Sequence, residues 1–155
     1  MAILNGACYH SMDAKNRIRI PSKLKAELLK DGGSLHFVQY SEGCITVMND
    51  AVLEKRFGSF EDIDTLDDEV LDALRFILSK IEDVEEDSQG RTVLSKNMRE
   101  YIGVDQEHAE LVTAGVKDCL EIWRADKYQE RFMQKDIRSA KEILSQFKAS
   151  QKESK

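Results

Sequence analysis

Two aspartates each stand four residues before an arginine: Asp13 before Arg17, and Asp87 before Arg91. Each pair brackets residues suited to a tight turn, Ala14-Lys15-Asn16 in one case and Ser88-Gln89-Gly90 in the other. Aspartate opens such turns by accepting backbone hydrogen bonds, and asparagine or glycine tolerates the left-handed backbone that closes them. An arginine carried on a turn can do one of two things. It can form a surface ion pair with the aspartate, worth about 0–1 kcal/mol. It can also project a planar fork that binds phosphate, or guanine O6 and N7, with two hydrogen bonds. The spacing alone leaves both open.

The two turns lie in a longer self-similarity. With an offset of 74, Asp13 falls on Asp87, Ile20 on Leu94, Leu24 on Met98, Leu28 on Ile102 and Val38 on Val112. One inserted residue moves the offset to 75, after which Cys44 meets Cys119, Val47 meets Ile122 and Arg56-Phe57 meets Arg131-Phe132. Apolar periodicity kept through three successive elements indicates a duplication. Each copy reads as strand, Asp–Arg turn, strand (Ile18-Arg19-Ile20 or Thr92-Val93-Leu94), a short helix opened by Pro21-Ser22 or Ser95, two further strands, and a closing helix from about Asp50 or Asp126. The further strands are expected near 35–40, 44–48, 109–114 and 119–123, with turns at Glu42-Gly43 and Lys117-Asp118.

The expected organisation is a first repeat over 1–57, an acidic linker over 58–82, a second repeat over 83–132, and a C-terminal helix with a polar tail over 133–155. Leu66–Ile81 reads as an amphipathic helix, its acidic start suited to a positive helix N-terminus. Ala125–Lys148 reads as one long helical pattern, followed by a frayed tail. A half-unit of about fifty residues buries too little surface to be stable alone, so two copies are expected to share one core.

Composition limits the functions available. The 155 residues are 41% hydrophobic and carry a net charge of -6, which argues against indiscriminate binding of polyanions. The charge is segregated, however. Residues 13–30 hold Lys15, Arg17, Arg19, Lys23, Lys25 and Lys30 against Asp13 and Glu27, whereas 61–72 are strongly acidic. Cys8, Cys44 and Cys119 have no metal-binding spacing and read as core residues, and the three histidines form no motif. No metal or other cofactor is expected. Phosphate-cradling glycine loops, zinc-protease motifs and nucleophile elbows are absent from the sequence, so an enzyme is not expected. With no signal-peptide pattern and no apolar run of bilayer length, the expected location is the cytosol.

With both Asp–Arg turns in view, the chain resembles the MraZ family of bacterial transcriptional regulators, related to the AbrB/SpoVT swapped-hairpin DNA-binding proteins. The first match runs from Tyr9 through Asp13, Arg17 and Pro21 to Lys23. The second runs from Asp87 to Leu94, continues at Arg99-Glu100-Tyr101, and reappears at Leu120-Glu121-Ile122-Trp123. Together they cover roughly residues 1–145. Three departures are visible: Asn16 where the family usually has glycine, Ser95 where a proline is expected, and a second turn that lacks a basic residue at Gln89 and follows the acidic run Glu82-Asp83-Val84-Glu85-Glu86.

The resemblance implies an α+β fold in which two tandem AbrB/SpoVT-like units form a pseudo-twofold swapped-hairpin β-barrel with peripheral helices. It implies a ring-like homo-oligomer, associated with the nucleoid, that binds direct repeats in double-stranded DNA upstream of its own division and cell-wall operon. On this reading Arg17 and Arg91 are the main DNA contacts, Lys15 and Arg19 meet phosphates, and Asp13 and Asp87 hold the turns. Neither a membrane nor a small-molecule substrate is expected as partner. The alternative is an oligomeric scaffold that recruits proteins through its acidic and helical surfaces without direct DNA recognition.

Overall fold

Apolar residues that alternate along the chain form strands, and those spaced three or four apart form helices. The computed structural model describes residues 2–60 and 62–154. Eight strands and six α-helices occur among them, an α+β arrangement. The strands are β1 (Ala7–Ser11), β2 (Arg17–Ile18), β3 (Leu35–Val38), β4 (Cys44–Asn49), β5 (Glu82–Asp83), β6 (Thr92–Val93), β7 (Glu110–Val116) and β8 (Cys119–Arg124). The helices are α1 (Ser22–Leu28), α2 (Asp50–Phe57), α3 (Asp68–Ser79), α4 (Lys96–Ile102), α5 (Ala125–Phe132) and α6 (Ile137–Glu153).

The chain divides into two units, the first ending at Ala125 and the second beginning at Asp126. In the first unit six strands form an antiparallel sheet ordered β1-β7-β8-β4-β3-β5, while β2 and β6 pair separately. The order is unchanged when β1 is exchanged with β5, β3 with β7, and β4 with β8. β1 pairs with β7, Tyr9 opposite Val112, and β5 pairs with β3, Asp83 opposite His36. Each half therefore lends its first strand to the other half's part of the sheet.

The core draws on both halves. Ile18, Ile20, Leu28 and Val47 are buried together with Leu94, Met98, Ile102, Leu120 and Ile122. α1 and α4 begin at equivalent positions despite Pro21 and Ser95 preceding them. Ser95 caps α4 by accepting a hydrogen bond from the Met98 N–H at 3.2 Å, which offsets the missing proline.

Several expectations are corrected. β2 and β6 have only two residues each, stopping short of Ile20 and Leu94, whose side chains are buried in the core ahead of α1 and α4. The long pattern over 125–148 is two helices, since Asp136 caps α6 by accepting from the Ser139 N–H at 2.8 Å and so ends the preceding turn. α6 then runs on to Glu153, through most of the segment expected to fray. Cys44 and Cys119 are core residues, and burial pushes their thiols up to about 12 and about 11, but Cys8 is exposed on the edge strand β1.

Candidate nucleic-acid interface

The two Asp–Arg turns fold alike, atom for atom. Asp13 Oδ1 accepts the backbone N–H groups of Lys15 and Arg17, each at 2.9 Å, while Oδ2 accepts Arg17 Nε at 2.7 Å. Asp87 Oδ1 accepts the N–H groups of Gln89 and Arg91 at 2.9 and 3.0 Å, and its Oδ2 accepts Arg91 Nε at 2.9 Å. A reciprocal backbone bond closes each turn, Asp13 N–H to the Arg17 carbonyl and Asp87 N–H to the Arg91 carbonyl. Left-handed backbone is required at Asn16 (φ 61°) and Gly90 (φ 76°), the two residue types suited to it.

Each arginine is thus held by its Nε edge. Neither guanidinium has a protein partner at its Nη nitrogens among the described residues, so the terminal pair of donors stays available. The arginine side chains are 23% and 24% exposed, their aspartates 37% each. The N–H of Arg17 is the main reason the Asp13 carboxyl lies below its ordinary value, and the N–H of Arg91 does the same for Asp87. Both clamps are therefore ionised at neutral pH.

Pairing of β2 with β6 brings the turns together, with Arg17 opposite Val93 and Ile18 opposite Thr92. The Leu94 N–H also donates to the Asn16 carbonyl at 2.8 Å. As a result Arg17, Arg19 and Arg91 line one concavity of about 180 Å³ with Asp13 and His10. Three arginines face one carboxylate there, a positive site on a chain of net charge -6. Lys15 is exposed at the tip of its turn and lies outside that hollow. A larger hollow of about 500 Å³, bounded by Ile3, Leu4, Pro21 and Leu24, is mostly apolar and has Lys23 and Glu27 as its charged groups.

Three features escaped the sequence. Gln106 binds the first turn from outside, donating to the Asn16 side-chain oxygen at 2.9 Å and the Asp13 carbonyl at 3.2 Å. His10 sits beside the arginines with Nε2 2.6 Å from Thr113 Oγ1 and with a buried Nδ1 that has no protein partner. Burial holds its pKa below the ordinary value, so the ring adds no positive charge at neutral pH. The acidic run before the second turn is largely engaged: Glu82 accepts from Ser95, Asp83 bonds His36, and Glu86 pairs with Lys25 at 2.8 Å. Only the local Asp–Arg chemistry had a sequence signature, because these other contacts join residues 13 to 103 positions apart.

Comparison with known proteins agrees with this frame. The family model for the MraZ protein matches residues 77–147. The transcriptional regulator MraZ of Mycoplasmopsis pulmonis is 30% identical over 125 residues, 81% of either chain. The protein of the same name from Nitrosomonas europaea is 29% identical over 130 residues, covering 81% of this chain and 84% of its own. That from Clostridium botulinum strain Alaska E43 is 30% identical over 126 residues, 79% and 82% of the two chains. All three are named as regulators, none as an enzyme. Sequence identity at this level across four fifths of both partners places the chain in the MraZ family.

Proposed function

We propose that this protein is a DNA-binding transcriptional regulator whose Arg17 and Arg91 read the duplex side by side. One observation carries the reading: two arginines, clamped alike by Nε, line the same hollow with their Nη edges unoccupied. That edge presents the parallel donors that guanine O6 and N7, or two phosphate oxygens, accept. Asp13 and Asp87 orient the forks, while exposed Lys15 and Arg19 meet phosphates. The relatives' name supports the regulatory role.

The finer reading is a sequence-specific regulator that binds direct repeats upstream of its own division and cell-wall operon, as a ring-like homo-oligomer at the cytoplasmic nucleoid. One hollow on an acidic chain binds weakly by itself; non-specific affinity is typically about 10⁻⁴–10⁻⁶ M. Several hollows facing repeats about 34–36 Å apart would raise the effective affinity without any new contact. For the fold, the unchanged strand order on exchanging the halves favours two tandem AbrB/SpoVT-like units in a swapped-hairpin barrel. A cytoplasmic site accords with the described helices, none of which is long and apolar enough to cross a membrane.

The test is a mobility shift with DNA from just upstream of the gene, run against unrelated DNA at two salt concentrations. The proposal expects preferential binding to the upstream DNA at the higher salt. Equal binding to both DNAs, or none, contradicts it.

A further inference from the structure

A valine stands among the arginines on the outer face of the β2–β6 ribbon. Residues opposite each other in an antiparallel pair point to the same side, and successive residues alternate between sides. Ile18, Ile20, Thr92 and Leu94 are buried on the inner side. Arg17, Arg19, Arg91 and Val93 therefore face outward, with Val93 directly opposite Arg17 and 58% exposed. Single exposed apolar residues are common on protein surfaces. Val93 differs in its company, because its three neighbours on this face are the arginines that line the hollow.

The duplication pairs Arg17 with Arg91, but Arg19 with Val93 and Lys15 with Gln89. The two turns share one backbone geometry and differ in charge. Residues 13–19 carry Lys15, Arg17 and Arg19 against Asp13, a net of +2, whereas residues 87–93 carry Arg91 against Asp87, a net of 0. The core does not impose this difference, since Thr92 and Leu94 supply the buried positions on either side of Val93. A charged arm suits the sugar–phosphate backbone, whose contacts position a protein without reading sequence. A neutral arm suits base edges, and the apolar group that they display in the major groove is the C5-methyl of thymine.

We infer that Val93 is a specificity-determining residue, its methyl groups touching the C5-methyl of a thymine beside the base read by Arg17. The inference rests on the DNA contact proposed for Arg17 and Arg91, and it names the base next to that contact. It also gives the site a direction. With the duplex reversed, the pseudo-twofold puts Arg19 where Val93 stood, and the thymine methyl meets a guanidinium.

Deoxyuridine lacks only that methyl, so full-length protein is titrated against upstream DNA made with thymine or with uracil throughout. Burying one methyl group is worth about fourfold in affinity, and the wild type should bind the uracil DNA at least that much more weakly. Val93→Ala should bind both DNAs alike, with a thermal melt confirming that it is folded. Equal affinity of the wild type for the two DNAs overturns the Val93 contact and leaves the DNA reading standing. An undiminished uracil penalty in folded Val93→Ala does the same. If the wild type does not prefer thymine-containing upstream DNA to unrelated DNA at the higher salt, the DNA reading falls and the inference falls with it.

Discussion

Arg17 and Arg91 line one concavity although 74 residues separate them in sequence. The two-residue pairing of β2 with β6 achieves this, and each arginine is then fixed by an aspartate four positions earlier. Position comes from the shared core, and orientation comes from the local turn. Substitutions can separate the two.

Asp13→Asn tests orientation. The change makes the hollow more positive, so simple attraction to phosphate would strengthen DNA binding. If instead the carboxylate aims the arginine, upstream-DNA affinity should weaken several-fold, because Arg17 loses the charged partner at its Nε. A binding isotherm at fixed salt decides between them, and tighter binding would show that Asp13 is merely a repulsive neighbour.

Acidification should leave the clamps intact until well below the physiological range. Backbone N–H groups hold Asp13 and Asp87 below the ordinary 3.8. Their stabilising contribution is therefore fully present above that value and is lost as pH falls through the lower folded one. His10 behaves differently. Burial lowers its pKa from 6.5, so the unfolded chain takes up a proton first and stability declines as pH drops below 6.5. Thermal melts at about pH 7.5 and 5.5 should show a smaller acid-induced loss in His10→Gln than in wild type. An equal loss in both would rule out His10 as a source of it.

The core beneath the turns can be probed through two neighbours. Leu94 is fully buried, whereas Val93, opposite Arg17, is 58% exposed. Leu94→Ala should cost about 2–5 kcal/mol in urea unfolding, and Val93→Ala about 0.5 kcal/mol or less. Similar costs for both would mean that the β2–β6 pair is not anchored from below.

The sequence made legible whatever is written locally or periodically. The Asp–Arg turns could be read because Asp13 reaches atoms only two and four residues away. The apolar positions that align between the halves became the common core, as with Leu28 and Ile102 or Val47 and Ile122. What escaped was polar and distant: Gln106 on the first turn and Lys25 on Glu86 depend on the finished fold and follow no period. The break before α6 was missed for another reason. A single capping aspartate, Asp136, outweighs an apolar pattern that runs straight through it.

The proposed function requires both guanidinium forks to contact one duplex together. Measure the affinity of the Arg17→Ala, Arg91→Ala double variant for the upstream DNA after confirming that its assembly mass is unchanged. Each base-reading fork lost should cost about 1–3 kcal/mol, so binding should fall to the level seen with unrelated DNA. Wild-type affinity in an intact double variant would contradict the account.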